Sequence, residues 1–407
     1  MVFEDKILKE VLNERNITDQ KDLNLLFKDI ISQIMHSVLK GEMTYHLGYE
    51  KYEQGKSKAI NNSRNGSTFK KVKSDFGKIN INTPRDRNST FKPKLIEKRK
   101  RDISGLKSTI LSLYSKGVST RDISSHIEEI YGVDISRDLV SNITDSVNKD
   151  ALEWQNRQLD PIYSVIFMDG FVVKIRSDDG IIKNHTVYGI IGINMDGFKH
   201  VLGLYIGESE SSKYWLTVMN ELKDRGIKDV LIFSVDNLSG ISEAINTAFP
   251  KSDIQKCIVH QIRNSFKFVS WKDYKEIARD LKPIYTASNE KAGYISLEEF
   301  AKKWDKKYSY ISKSWEKNWS ELSTFFKYSK EIKTLIYTTN PIESFNRSMR
   351  KIIKNKTSFP TKVSLLKILY LATNDLEKKW KTRTRNWGCI YSNFKIYFKE
   401  RLDNVSN

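Results

Sequence analysis

An α/β fold, preceded by a helical region and interrupted by an all-helical segment, is what the 407 residues of this chain predict. Three observations carry that prediction. Residues 162 to 206 read as three extended apolar runs divided by Asp-Gly turns. Two further apolar runs follow, near 230 to 235 and 254 to 259, each behind a helical stretch. Residues 272 to 335 then show helical spacing, rich in Trp and Lys.

Size and charge bound the rest. With 39% hydrophobic residues the chain can bury real cores, and two or three domains are expected because single cores stop growing near roughly 250 to 300 residues. The 69 Lys and Arg outnumber the 50 Asp and Glu along the whole length, and a net charge of +19 favours a polyanionic partner. No apolar run approaches the roughly 18 residues of a spanning helix, and the first residues lack a signal-peptide layout. Only Cys257 and Cys389 occur, so a disulfide framework is not expected. The expected setting is a reducing cytoplasm, with a nucleic acid as partner and no membrane.

Residues 1–50 carry helical apolar spacing (Ile7, Leu8, Val11, Leu12, then Leu23 to Ile34), a helical lead-in. Residues 51–105 are polar and basic, ending in Lys98-Arg99-Lys100-Arg101, and read either as an irregular arm that tracks phosphates or as a solvated linker. Gly55-Lys56-Ser57 is not a phosphate loop, because Glu50 stands where its first glycine belongs.

Residues 106–150 predict three short helices. Ser or Thr caps the second near Ser119-Thr120, and Ser136 caps the third. Two readings stand: a helix-turn-helix module with Arg137, Ser141 and Asn142 facing bases, or an ordinary helical bundle.

The first extended run spans 162 to 176, the second 187 to 194 and the third 200 to 206; a helix follows from Ser211 to Arg225, a fourth strand ends at Asp236, and a helix from Ile241 to Phe249 precedes the fifth. A meander followed by alternating helix and parallel strand is the order of a ribonuclease H-like core. In such a sheet the first and fourth strands are neighbours, so Asp169 and Asp236 face one cavity.

A carboxylate inside an apolar run is costly unless a positive group neutralises it, and a divalent metal is the simplest such group. Asp169 and Asp236 are both so placed, and Glu343 opens a basic helix. Asp169-Gly170 also fits a hairpin turn. Glu343 also fits the third position of a helix capped by Asn340, where a glutamate closes a capping box. Cys257 and His260 form a Cys-x-x-His pair without the further ligands a structural zinc needs.

At these residues the chain resembles a known family. Asp236-Asn237-Leu238-Ser239-Gly240, Phe249-Pro250, the run from Gln255 to Asn264 and the run from Thr338 to Arg347 closely resemble the Mutator-type transposases of bacterial insertion sequences. Asn65-Gly66, Pro84-Arg85-Asp86-Arg87, Glu210 with Trp215, and Leu222 to Gly226 extend the resemblance over nearly the whole chain. Asn237 departs from it, since a small residue is usual there.

The resemblance implies an Asp-Asp-Glu site formed by Asp169, Asp236 and Glu343 on a ribonuclease H-like core. That core would be split as 155–271 and 336–375 around a helical insertion, 272–335, with a basic C-terminal segment at 376–407. It implies Mg2+, replaceable by Mn2+, with Asp169 shared between two ions and Asp236 and Glu343 holding one each. It places Cys257, His260 and Arg263 beside the active site as DNA contacts, the alternative being Cys257 as a small core hydrophobe and His260 as a hydrogen-bonded helix start. Asn340 and the stripe Arg347, Arg350 and Lys351, continued by Lys354, are the further expected DNA contacts. Trp304, Trp315, Trp319 and Phe325 are expected in the insertion's core, a base-stacking role being the alternative.

The implied activity is cleavage and strand transfer at the element's terminal inverted repeats and target DNA, by at least a homodimer. A nuclease or resolvase that cuts without joining, and a catalytically retired DNA-binding regulator, remain alternatives.

Overall fold

The computed structural model describes residues 20–53, 62–74, 77–94, 105–131, 135–177, 179–207, 211–337, 340–354 and 356–403. The expectations placed on residues 1–19, Gly55-Lys56-Ser57, Lys98 to Arg101, Glu210, Thr338 and Thr339 lie outside the described residues. Two compact units are present, Met1–Asn148 and Lys149–Asn407.

In the first unit, α1 (Gln20–Leu47) places Ile31, Met35 and Leu39, one per turn, against Val72, Ile79 and Ile81. Those three belong to an antiparallel hairpin, β1 (Arg64–Ser74) and β2 (Gly77–Asp86). Over residues 64–86 this corrects the expectation of an irregular arm or solvated linker. Lys78-Ile79-Asn80-Ile81-Asn82 is a period-2 strand pattern, and the basic composition around it conceals the alternation. At the hairpin's end the buried Asp86 carboxylate accepts from Asn62 Nδ2 (2.8 Å), Thr90 Oγ1 (2.6 Å) and the backbone amides of Thr90 and Phe91 (both 3.0 Å).

Three short helices follow, α2 (Gly105–Ser115), α3 (Thr120–Tyr131) and α4 (Arg137–Asp145). Ile110, Tyr114, Ile123, Ile127, Leu139, Val140 and Ile143 are buried apolar residues of these helices. Ser136 Oγ caps α4 by accepting from the Leu139 amide at 3.1 Å.

The second unit is mixed α/β. Helix α5 (Asn148–Gln155) leads to β3 (Ile162–Arg176), β4 (Ile182–Asn194) and β5 (Lys199–Gly207), then α6 (Ser212–Asp224), β6 (Asp229–Val235), α7 (Ile241–Ala248) and β7 (Asp253–Lys256). The five strands form one sheet in the order β5-β4-β3-β6-β7. β4 runs antiparallel to both β5 and β3, while β3, β6 and β7 are parallel.

Alternation along the strands assigns two faces. Ile166, Met168, Tyr188, Ile190, Phe233 and Val235 join Trp215, Met219 and Leu222 of α6 and Ile241 and Ile245 of α7 in one core. Phe167, Asp169, Gly189, Ser234 and Asp236 therefore share the opposite face. Asp169-Gly170 lies within β3, paired with Gly189 and Tyr188, and is not a hairpin turn.

Beyond β7 come α8 (Ile258–Ser265), α9 (Trp271–Thr286), α10 (Glu290–Lys317), α11 (Trp319–Leu322) and α12 (Lys330–Ile336). Trp304, Trp315 and Phe325 are buried here, and Trp319 is half-buried, edge-on to Tyr294 at 5.3 Å. Helix α13 (Asn340–Ile353) then returns to the Asp169 face. Helices α14 (Lys362–Glu377), α15 (Trp387–Tyr397) and α16 (Lys399–Asp403) complete the unit. Part of the basic C-terminal segment packs inward: Trp387 donates to the Met195 carbonyl at 3.2 Å, and Arg401 pairs with Asp229 at 2.6 Å.

Candidate active site

Parallel pairing brings the first two acids together. Met168 on β3 is in register with Val235 on β6, and the Asp236 amide donates to the Met168 carbonyl at 3.4 Å. Asp169 and Asp236 thus occupy adjacent positions on neighbouring strands, about 4.8 Å apart by sheet geometry. Asp169 lies where β3 changes from burial on both faces to alternating exposure, so the apolar run ends at the carboxylate.

The next strand supplies the third group. Val235 is in register with Lys256 on β7, and the Cys257 amide donates to the Val235 carbonyl at 2.9 Å. Cys257 is the N-cap of α8, so Cys257, His260 and Arg263 recur every three residues along one side of that helix. His260 Nδ1 is 3.4 Å from Asp236 Oδ1. Ligand atoms of Asp169, Asp236 and His260 all lie within 4.8 Å of one another, a group able to hold a metal ion.

The His260 pKa is raised to about 9. Burial opposes the charged ring, but the Cys257 hydrogen bond, Asp236 and Asp169 together outweigh it.

Glu343 stands on the other side of the ring. Its Oε1 is 3.7 Å from His260 Nε2 and accepts from Arg263 Nη1 at 2.9 Å. The carboxylate is therefore directed at α8, and it lies outside the three-residue group that converges within 4.8 Å.

Sequence reasoning missed Asn346. It is fully buried, three residues after Glu343 on α13, and its Nδ2 donates to Asp169 Oδ2 at 2.8 Å. Its Oδ1 has no hydrogen-bond partner. The i, i+3 spacing from Glu343 was visible in the sequence, but the partner 177 positions away was not.

Arg350, a turn further on, reaches the Gly170 carbonyl at 3.4 Å. Arg347, Lys351 and Lys354 are exposed on the same helix, and with Lys174 and Lys356 they line a groove beside the outer half of β3. In the first unit, Arg137 is exposed and Ser141 and Asn142 half-buried on α4. Asn340 begins α13 and is exposed.

Acids brought together across two parallel strands, with a cationic helix alongside, fit an enzyme that processes a polyanion. Comparison with known proteins narrows this. Residues 2–383 match the family described as Transposase, Mutator family, and the chain belongs to that family.

The chain is 39% identical over 405 residues, 99% of its length and all of the relative's, to the transposase for insertion sequence element ISRM3 of Rhizobium meliloti. It is 34% identical over 347 residues, 85% of this chain and 93% of the relative, to the transposase for insertion sequence element IS1201 of Lactobacillus helveticus. With the IS256 transposase in transposon Tn4001 of Staphylococcus aureus it shares 26% over 370 residues, covering 88% of this chain and 92% of that one.

Proposed function

We propose that this transposase binds the ends of its own element, cleaves the DNA there and transfers the freed strand to a target, using Asp169, Asp236 and Glu343. The convergence of Asp169 and Asp236 with His260 within 4.8 Å carries the reading. The strand order, an antiparallel trio continued by two parallel strands, supports a ribonuclease H-like core split by the helical insertion.

The donor set fits a divalent metal. Two carboxylates suit Mg2+, and the imidazole beside them, once it has given up its proton, suits Mn2+ as well. Asp169 and Asp236 would hold the metal, with Glu343 as the third acid. When bound, it would stabilise the charge on the attacking and leaving oxygens of a phosphoryl displacement.

The protein's own groups do the positioning. Gly170 N and Asn346 Nδ2 hold the two oxygens of Asp169. Arg263 orients Glu343, and Arg350 with its basic neighbours directs a phosphate backbone along the groove. Arg137, Ser141 and Asn142 of the first unit would recognise the element's ends. Bringing two ends together requires at least a dimer.

The test uses intact protein and a plasmid carrying both ends of the element. Mg2+-dependent cleavage and joined products are expected, both reduced to background by Asp169→Asn, Asp236→Asn or Glu343→Gln. Unaltered cleavage by Asp236→Asn would refute the site; cleavage without joined products would leave a nuclease.

A further inference from the structure

We infer that the exposed aromatic cluster between α8 and α9 is a stacking platform for an unpaired base of the DNA strand at the active site. This rests on the transposase reading above and names the form in which the substrate is held. Trp271 is 86% exposed and Phe268 71%, with Tyr274 half as open beside them. Large aromatic rings so exposed and so close together mark a binding surface more than chance.

The cluster is braced. Phe266 stacks on Tyr274 at 4.1 Å between centroids, and Trp271 lies 6.0 Å from the same ring. Phe268 meets Tyr310 of α10 nearly edge-on at 6.0 Å. Tyr310 Oη donates to the Ser265 carbonyl at 2.9 Å, Trp315 Nε1 to Ser265 Oγ at 2.9 Å, and the Ser270 amide to Tyr308 Oη at 3.2 Å. The rings are presented from a fixed frame, so stacking costs little further ordering.

Charge selects the occupant. Lys267, Lys272 and Lys275 are exposed among the rings, with the Lys267 ammonium 5.5 Å from the centre of the Phe268 ring. The nearby acid, Asp273, is turned to Lys307 and to Tyr308 Oη at 2.6 Å. Aromatic faces interleaved with cations suit single-stranded nucleic acid, in which a base stacks while its phosphates pair with lysines. Phe268 is five residues beyond Arg263, the partner of Glu343, so their Cα atoms are no more than about 18 Å apart. A base a few nucleotides from the reacting phosphate can therefore reach the platform.

The test is fluorescence anisotropy of the full-length protein with three labelled probes of equal length: oligothymidylate, an abasic strand with the same phosphates, and a duplex. The wild-type protein should favour oligothymidylate over the abasic strand. Trp271→Ala should weaken oligothymidylate binding by roughly five- to a hundredfold, leave the abasic strand and duplex within about twofold, and be restored by Trp271→Phe. Cleavage of the two-ended plasmid by the same wild-type protein, read in parallel, keeps failure of the catalytic reading distinct from failure here. Equal binding of thymidylate and abasic strands by the wild type, no effect of Trp271→Ala, or a change of oligomeric state in Trp271→Ala with thymidylate binding intact would each overturn the inference, the last assigning the rings to a protein partner.

Discussion

Asn346 donates its side-chain amide to Oδ2 of Asp169 at 2.8 Å from a fully buried position on α13. The other carboxylate oxygen accepts from the Gly170 amide at 2.7 Å, so the plane of the acid is held from both ends. Asn346→Ala leaves one oxygen free to rotate, and cleavage should fall about 10- to 100-fold, the usual cost of losing a group that orients a metal-binding acid. Asn346→Asp should be worse, because two carboxylates at that distance cannot both ionise comfortably. Rates of plasmid nicking at increasing Mg2+ measure both; full activity of Asn346→Ala would separate Asn346 from the reaction.

Gly189 on β4 lies opposite Asp169, and a Cβ added there would sit 2.9 Å from Phe345 Cε1 and 3.2 Å from Ile342 Cδ1. The missing side chain lets α13 approach the sheet and brings Glu343 and Asn346 to the acids. Gly189→Ala should therefore shift α13, destabilise the unit by about 1–3 kcal/mol as overpacking does, and lower cleavage more than its stability loss explains. Thermal melting beside single-turnover cleavage checks this. Wild-type activity in a stably folded Gly189→Ala protein would show that the helix has room to spare.

These two residues mark where the sequence stops being readable. The strands around Asp169 and Asp236 were legible because apolar runs and Asp-Gly turns are local signals, and Gly197 does adopt the positive φ its turn requires. Adjacency of the two acids followed from strand order alone. Asn346 and Gly189 act through contacts between α13 and strands far away in the chain, and no periodicity announces such a pair. His260 was legible as part of a Cys-x-x-His pair, but only the register of β7 against β6 shows it between Asp236 and Glu343. The hairpin of β1 and β2 was hidden by its lysines, because composition speaks of solvent while alternation speaks of a face.

The groove beside α13 gives a salt-dependence prediction. Lys174, Arg347, Arg350, Lys351, Lys354 and Lys356 line it, and each cation that meets a phosphate steepens the fall of log affinity with log salt by about 0.9 for duplex DNA. Lys351→Ala with Lys354→Ala should make the slope shallower by about 2 and weaken binding alike for all sequences. Anisotropy titrations of a duplex over a salt series measure it, and a slope equal to the wild type's would mean that these lysines face water only.

Asp86 makes the first unit sensitive to acid. Burial raises its pKa, but the hydrogen bonds from Thr90, Asn62 and Phe91 outweigh that and hold the carboxyl well below the usual carboxylate range. A folded-state pKa below the unfolded value of about 3.9 gives stability that is fully present above pH 4 to 5 and is lost as pH falls towards the folded value. Amide exchange of Thr90 and Phe91, the two backbone donors to Asp86, should accelerate relative to neighbouring amides as the protein is acidified below about pH 4. Asp86→Ala should open the same amides at neutral pH and cost about 3 kcal/mol, since it strands buried donors that now meet a charge. Protection at Thr90 and Phe91 that persists in Asp86→Ala would show that the helix α1 packing alone closes this end of the hairpin.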